Sequence, residues 1–170
     1  MHALIVGAQG VGKSTLIGRV RRELSRTEAG LETRRETAQA DERGAPVYIH
    51  RVGHPQSQGA ENLAAYVKPG SRQVFPEVFE RYAVFLTRDA PGSGLIVLDE
   101  LGFLESSAPG FCRAVLAVMD GDVPVLAAVK PMNTPFLRAV REHPRARVFS
   151  IDEHNREALA EEVLRFLRNQ

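Results

Sequence analysis

Cysteine is nearly missing from this 170-residue chain, and the one that is present, Cys112, excludes an intrachain disulfide and any Cys-x-x-Cys metal site. That usage fits a reducing compartment, and the cytoplasm is the expected location. An excess of charge is missing too: 22 basic against 21 acidic residues leave a formal net charge of +1. No overall field is available to hold nucleic acid or an anionic membrane, so neither partner is implied. No apolar run approaches the ~20 residues of a membrane span. Met1-His2-Ala3 has no basic leader region, and the first motif begins at Gly7, so the chain as written is expected to be the mature form. Repeats and low-complexity segments are absent. With 44% hydrophobic and 25% charged residues, the expectation is one globular domain, 1–170, with a sizeable core.

What is present begins at residue 7. Gly7-Ala8-Gln9-Gly10-Val11-Gly12-Lys13-Ser14 matches the phosphate-binding pattern G-x-x-x-x-G-K-[ST] at every required position. The apolar run Ala3-Leu4-Ile5-Val6 precedes it, and Leu16, Ile17, Val20 and Leu24 follow at helical spacing. Glycines let successive backbone N–H groups turn toward a phosphate chain, and the following helix directs its partially positive end to the same place. Lys13 adds a full charge at the β- and γ-phosphates, and the Ser14 hydroxyl is a hard oxygen ligand suited to Mg²⁺. The loop therefore implies a magnesium nucleotide.

The rest of the chain alternates strand and helix. Apolar runs at 2–6, 95–98, 124–129 and 146–150 read as buried strands, and helical patterns cover 13–26, 76–88, 111–119, 134–141 and 155–167. Such alternation predicts an α/β fold, a mostly parallel central sheet with helices on both faces. The stretch from about 28 to 75 is weaker, and it is expected to be an insertion or a mobile segment. Within it, Val47 to Val52 alternates as a strand, and Asp41-Glu42-Arg43-Gly44 can turn it back on an earlier strand near 31–37 as a β-hairpin.

A second constellation closes the run Leu95-Ile96-Val97-Leu98, namely Asp99-Glu100. A carboxylate at the C-terminal end of a parallel strand lies where ligands collect in open α/β sheets, so Asp99 is read as a metal contact. Glu100 beside it can orient or deprotonate a water attacking the γ-phosphate. Lys13 and Glu100 are thus the candidate catalytic residues, Ser14 and Asp99 the candidate Mg²⁺ ligands.

The order of the phosphate loop, then Leu98-Asp99-Glu100-Leu101-Gly102-Phe103-Leu104-Glu105, then Pro135-Phe136-Leu137, then Asn155-Arg156-Glu157-Ala158-Leu159, resembles the THEP1-like nucleoside-triphosphatase family. Members of that family show Asp-Glu-Ile-Gly-Lys-Met-Glu after the strand and a late Asn-Arg pair. The resemblance implies a RecA-like, three-layer phosphate-loop NTPase fold. It also implies slow, Mg²⁺-dependent hydrolysis of ATP, GTP, CTP and UTP with low base selectivity. Nucleotide-binding roles then fall on Gly7, Ala8, Gln9, Gly10, Val11, Gly12, Lys13, Ser14 and Thr15, and on Asn155 and Arg156 at the sheet edge. Arg156 is a candidate for neutralising transition-state charge or for capping the last helix; Arg141 and Arg147 are the other arginines in view. Two departures stand out. Phe103 occupies the family's lysine position, so a charge there must come from elsewhere, and the early pattern is echoed only in part, by Gly30 and Thr33.

Other features carry less. Asp99-x-x-Gly102 also fits a GTPase pattern, but no Asn-Lys-x-Asp follows to read guanine. His50 and His54 are spaced as metal ligands on a helix would be, yet Gly53 and Pro55 argue against a helix there. Cys112 reads as a small buried hydrophobe. Glu105 orients a cation or the loop that holds Glu100, or faces solvent. Lys68, Arg72 and Arg34-Arg35 read as a solvated charged face in preference to a substrate clamp. Two alternatives to hydrolysis remain: a kinase phosphorylating a nucleoside, nucleotide or other small acceptor, and a nucleotide-dependent switch read by a partner protein.

Overall fold

The computed structural model describes residues 1–170. Its strands are β1 (His2–Val6), β2 (Glu28–Arg35), β3 (Ala45–Arg51), β4 (Leu63–Lys68), β5 (Ser71–Val74), β6 (Leu95–Leu101), β7 (Val125–Val129) and β8 (Ala146–Ser150). The helices are α1 (Lys13–Leu24), α2 (Pro76–Asp89), α3 (Pro109–Asp120), α4 (Pro135–Arg141) and α5 (Arg156–Arg168). All eight strands form one sheet in the order β5-β4-β3-β2-β6-β7-β1-β8. From β2 to β8 every neighbouring pair is parallel, whereas β2-β3, β3-β4 and β4-β5 are antiparallel.

The continuous apolar runs exist because the parallel strands are covered twice. In β6, Ile96 and Leu98 join the core beneath α2, α3 and α4, while Leu95 and Val97 join the core beneath α1 and α5. Strand β7 divides in the same way, Val125, Ala127 and Val129 against Leu126 and Ala128. Each strand's period of two thus feeds two cores. Proline at the first turn opens α2, α3 and α4, where its missing N–H costs no helical bond. Thr134 also caps α4 by accepting the Leu137 N–H at 3.1 Å. Helix α1 is shorter than its sequence pattern suggests: Ser25 turns into the left-handed region at φ 49° and the chain leaves toward β2.

Residues 28–74 depart most from expectation. The anticipated hairpin is there, as β2 and β3 with Arg35 opposite Val47. Two further strands, β4 and β5, extend it, and β2 itself pairs with β6 in parallel register, Glu32 beside Asp99. The stretch is therefore an antiparallel wing of the main sheet, not a separate excursion. β4 and β5 escape a sequence reading because Ala64-Ala65 and Ser71-Arg72-Gln73 have little β-propensity of their own. Gly30 explains the junction: a Cβ there would lie 1.9 Å from the Val97 carbonyl oxygen, and φ is +135°. No helix of the chain is long and apolar enough to cross a membrane.

Candidate active site

The phosphate loop bridges β1 and α1 at the C-terminal edge of the parallel strands. Gly12 is the N-cap of α1 with φ 100°, a conformation that favours glycine, and a Cβ there would meet the Arg156 guanidinium at 2.5 Å. Arg156, at the start of α5, donates from Nη2 to the Val11 carbonyl at 3.0 Å, and its buried Nε has no partner. It lies directly against the loop. Asn155 serves the preceding turn: its Oδ1 accepts the Asp152 N–H at 3.0 Å and its Nδ2 donates to the Ser150 carbonyl at 2.9 Å. Its side chain is thereby committed to the chain's own backbone. Arg141 donates to the Met132 carbonyl and Arg147 pairs with Glu162.

Lys13 is buried, 4% exposed, and its ammonium uses all three hydrogens. They go to the Gly7 and Ala8 carbonyls, both at 2.9 Å, and to Glu100 Oε2 at 2.9 Å. Ser14, one residue on, donates its hydroxyl to Asp99 Oδ1 at 3.0 Å. The two halves of the site, 85 residues apart in the chain, are thus brought to one edge by the parallel neighbours β1, β7 and β6. Gly7, Ala8, Gln9, Gly10 and Thr15 complete the loop and the first turn of α1 around this point.

The donor set fits a hard divalent cation. Asp99 is half-buried, burial pushes its carboxyl above the usual range, and the Ser14 hydroxyl only partly opposes that. No lysine or arginine lies within 4.0 Å of its oxygens. A desolvated carboxylate beside a hydroxyl, with no ion-pair partner, is chemically matched to Mg²⁺ and its waters.

A lysine that the sequence did not single out completes the pair around Glu100. Lys130 follows β7, and its Nζ lies 3.1 Å from Glu100 Oε1, so the carboxylate is held between two ammonium groups, one on each oxygen. Lys130 also packs on Gly102, where a Cβ would come within 2.9 Å of its Cδ. A cation thus stands beside Glu100 although residue 103 is Phe. The position of Lys130 at a parallel strand's C-terminal end was the available signal.

Glu105 does not face solvent. It is 3% exposed, and its Oε2 accepts the Gly102 N–H at 2.8 Å, closing the turn that follows Glu100. Burial pushes this carboxyl up to about 7, against the pull of the Gly102 N–H and of Lys130. Lys68, Arg72 and Arg34-Arg35 are all exposed, as the reading of a solvated charged face expects. Lys68 donates to the Glu42 carbonyl and Arg34 lies near Glu32, but Arg35 and Arg72 border a cleft beside Glu100. The Arg72 guanidinium stacks 3.6 Å from the centre of the Phe103 ring. Thr33 lies between these groups, and its hydroxyl receives a long 3.5 Å contact from the Glu100 N–H. His50 is buried in β3, where Asn62 Nδ2 lies 3.4 Å from its Nδ1, and burial lowers its pKa. Burial pushes the half-buried Cys112 thiol up to about 11, which leaves no thiolate near neutrality.

A phosphate loop closing on a strand-end Asp-Glu pair, in a sheet flanked by helices, defines a phosphate-loop nucleotide-binding protein of the α/β class. A family model described as NTPase matches residues 2–164. The chain belongs to that NTPase family, and its relatives carry the name nucleoside-triphosphatase THEP1. The relative from Thermotoga maritima is 28% identical over 169 residues, covering 99% of this chain and 96% of that protein. That from Methanosarcina acetivorans is 30% identical, covering 99% and 98%. The crystal structure of THEP1 from Aquifex aeolicus superposes with a TM-score of 0.76 at 23% identity, covering 98% of this chain and 99% of that one. The solution structure of a human cancer-related nucleoside triphosphatase gives 0.71 at 23% identity, covering 99% and 98%. Both solved structures share the fold.

Proposed function

We propose that the chain hydrolyses nucleoside triphosphates to the diphosphate and phosphate, that it requires Mg²⁺, and that ATP, GTP, CTP and UTP all serve. The supporting observation is the convergence of Lys13 with Glu100 and of Ser14 with Asp99 at one sheet edge. The backbone N–H groups of residues 7–15 cradle the phosphates, and Ser14 with Asp99 holds the metal. Mg²⁺ held there would supply positive charge against the phosphates. Lys13 turns from Glu100 toward those phosphates, since a phosphate chain competes for the same ammonium. Glu100 is then left with Lys130 and accepts a proton from the attacking water. Glu105 holds the turn behind it, and Arg156 supports the loop from the Val11 side. Low base selectivity follows from a loop that grips phosphates alone and from the absence of an Asn-Lys-x-Asp guanine reader.

Phosphate release from the four triphosphates, with Mg²⁺ and with excess chelator, tests this reading against Glu100→Gln. Loss of the base should lower turnover by about 10² or more while nucleotide binding survives. Undiminished turnover in Glu100→Gln, or full turnover in chelator, overturns it.

A further inference from the structure

Two cavities meet at Glu100. One is the phosphate cradle around Lys13, Ser14 and Asp99. The other is a cleft of about 230 Å³ lined by Glu100, Lys130 and residues of the wing. Glu100, Thr33 and Gln9 line both. The two carboxylate oxygens point to different cations, Oε2 to Lys13 in the cradle and Oε1 to Lys130 in the cleft.

The cleft is larger than hydrolysis needs. Its volume is several times the ~30 Å³ that one water occupies in the liquid. Its outer wall carries Arg35 from the end of β2 and Arg72 from β5, and neither has a carboxylate within 4.0 Å. Both side chains are exposed; Arg35 spends one N–H on the Val67 carbonyl at 3.0 Å, and Arg72 stacks on the Phe103 ring with its N–H edge free. Guanidinium groups without carboxylate partners suit a phosphate or carboxylate, which they grip through paired N–H donors. Between these cations the lining is apolar, Val47, Val67 and Met132, and suits a carbon skeleton.

We propose that this cleft is a second substrate site for a small phosphomonoester bearing a free hydroxyl, and that the chain transfers the γ-phosphoryl group to that hydroxyl. Arg35 and Arg72 hold the acceptor's phosphate, and its hydroxyl lies against Glu100. The hydroxyl oxygen attacks the γ-phosphorus, forming a new P–O bond as the bond from that phosphorus to the β–γ bridging oxygen breaks. The nucleoside diphosphate leaves with that electron pair, and the hydroxyl proton passes to Glu100. Hydrolysis is the same displacement with water in the acceptor's place, so the inference rests on the reading of Glu100 as base.

The test is made on the full chain with Mg²⁺ and a saturating non-hydrolysable ATP analogue, so that the phosphate loop is occupied. Glycerol 3-phosphate, ribose 5-phosphate and the four ribonucleoside monophosphates are then titrated calorimetrically. At least one should bind with one-to-one stoichiometry, and its affinity should fall about tenfold or more in Arg72→Ala and in Arg35→Ala. Binding of the ATP analogue by each variant shows that it is folded. Sugar phosphates binding as well as nucleotides identify the phosphate and hydroxyl as the recognised groups, and nucleotides alone binding identifies a nucleotide acceptor. With γ-labelled ATP and the bound probe, label should appear in a doubly phosphorylated product. The proposal is overturned if no probe binds beside the analogue, if binding ignores both arginines, or if all label goes to inorganic phosphate. Analogue binding and the Glu100→Gln turnover test the hydrolytic reading separately, so the two can fail independently.

Discussion

The parallel half of the sheet and its antiparallel wing obey different rules. In β1, β6 and β7 both faces are covered by helices, and side chains such as Leu4, Ile96, Leu98 and Leu126 are exposed by 1% or less. In β5 the first three residues are exposed and Val74 is half-buried. The parallel half carries the core and presents short motifs at its edge. The wing carries little core at its outer strand and instead presents separated polar side chains, Thr33, Arg35 and Arg72, toward that edge. Stability and chemistry are thus partly separated within one continuous sheet, and the comparison makes quantitative predictions.

The largest expected effect is on stability. Leu98→Ala empties a fully buried site in the core beneath α2, α3 and α4 and should cost about 2–5 kcal/mol in denaturant unfolding, whereas Val74→Ala in β5 should cost less than about 1 kcal/mol. Equal losses at the two positions break the comparison.

Acid titration sharpens it within the parallel half. His2 is fully buried in β1, its Nε2 2.6 Å from the Met119 carbonyl and its Nδ1 accepting the Val125 N–H at 3.1 Å, and burial lowers its pKa to about 4. Below pH 6.5 the unfolded chain binds a proton that the folded chain refuses, so this residue removes stability as pH falls from 6.5 to about 4, by roughly 3 kcal/mol in all. Glu105 works in the opposite sense. Its carboxyl is raised to about 7, so the folded chain binds a proton before the unfolded one does, and stability rises as pH falls from 7 toward 4.5. The wild-type curve should therefore be flatter than either variant's. Unfolding followed across pH 4–7.5 should show Glu105→Gln losing stability on acidification and His2→Gln gaining it. Parallel curves for all three proteins remove both assignments.

A smaller effect concerns helix ends and surfaces. Thr134→Ala deprives the Leu137 N–H of its cap and should cost about 1 kcal/mol. Asp41→Asn breaks the exposed pair with Arg43 in the wing's first turn and should leave the unfolding midpoint nearly unchanged, because solvent screens that pair. Amide exchange provides the same contrast without mutation. Protection should be greatest in β1, β6 and β7 and least in β5, and a uniform pattern would contradict the division.

How much of this could be read beforehand differs by region for the same reason. Strands β1 and β8 were legible to the residue, and β7, α2 and α4 to within one, because burial or one apolar helix face imposes a pattern on consecutive residues. Gly7 to Ser14 and Asp99-Glu100 were legible because their functional groups lie side by side in the chain. Lys130 was not singled out: its place at a strand's C-terminal end marks it only as near the sheet edge, and its meeting with Glu100 depends on β7 lying next to β6. Glu105 was visible as a position but not as a buried one, since burial of a carboxylate follows from the turn that gives it the Gly102 N–H.

The sequence by itself determined the phosphate loop, the strand-end carboxylates and the layered α/β class, because each is written in neighbouring residues or in a regular period. Only the tertiary structure decided that Lys13 and Lys130 hold the two oxygens of Glu100, that Glu105 is buried, and that Arg35 and Arg72 face the same cleft. Those contacts join residues from separate elements, and no local pattern records them. They follow from the strand order β5-β4-β3-β2-β6-β7-β1-β8, which is set by the packing of two cores across the whole sheet.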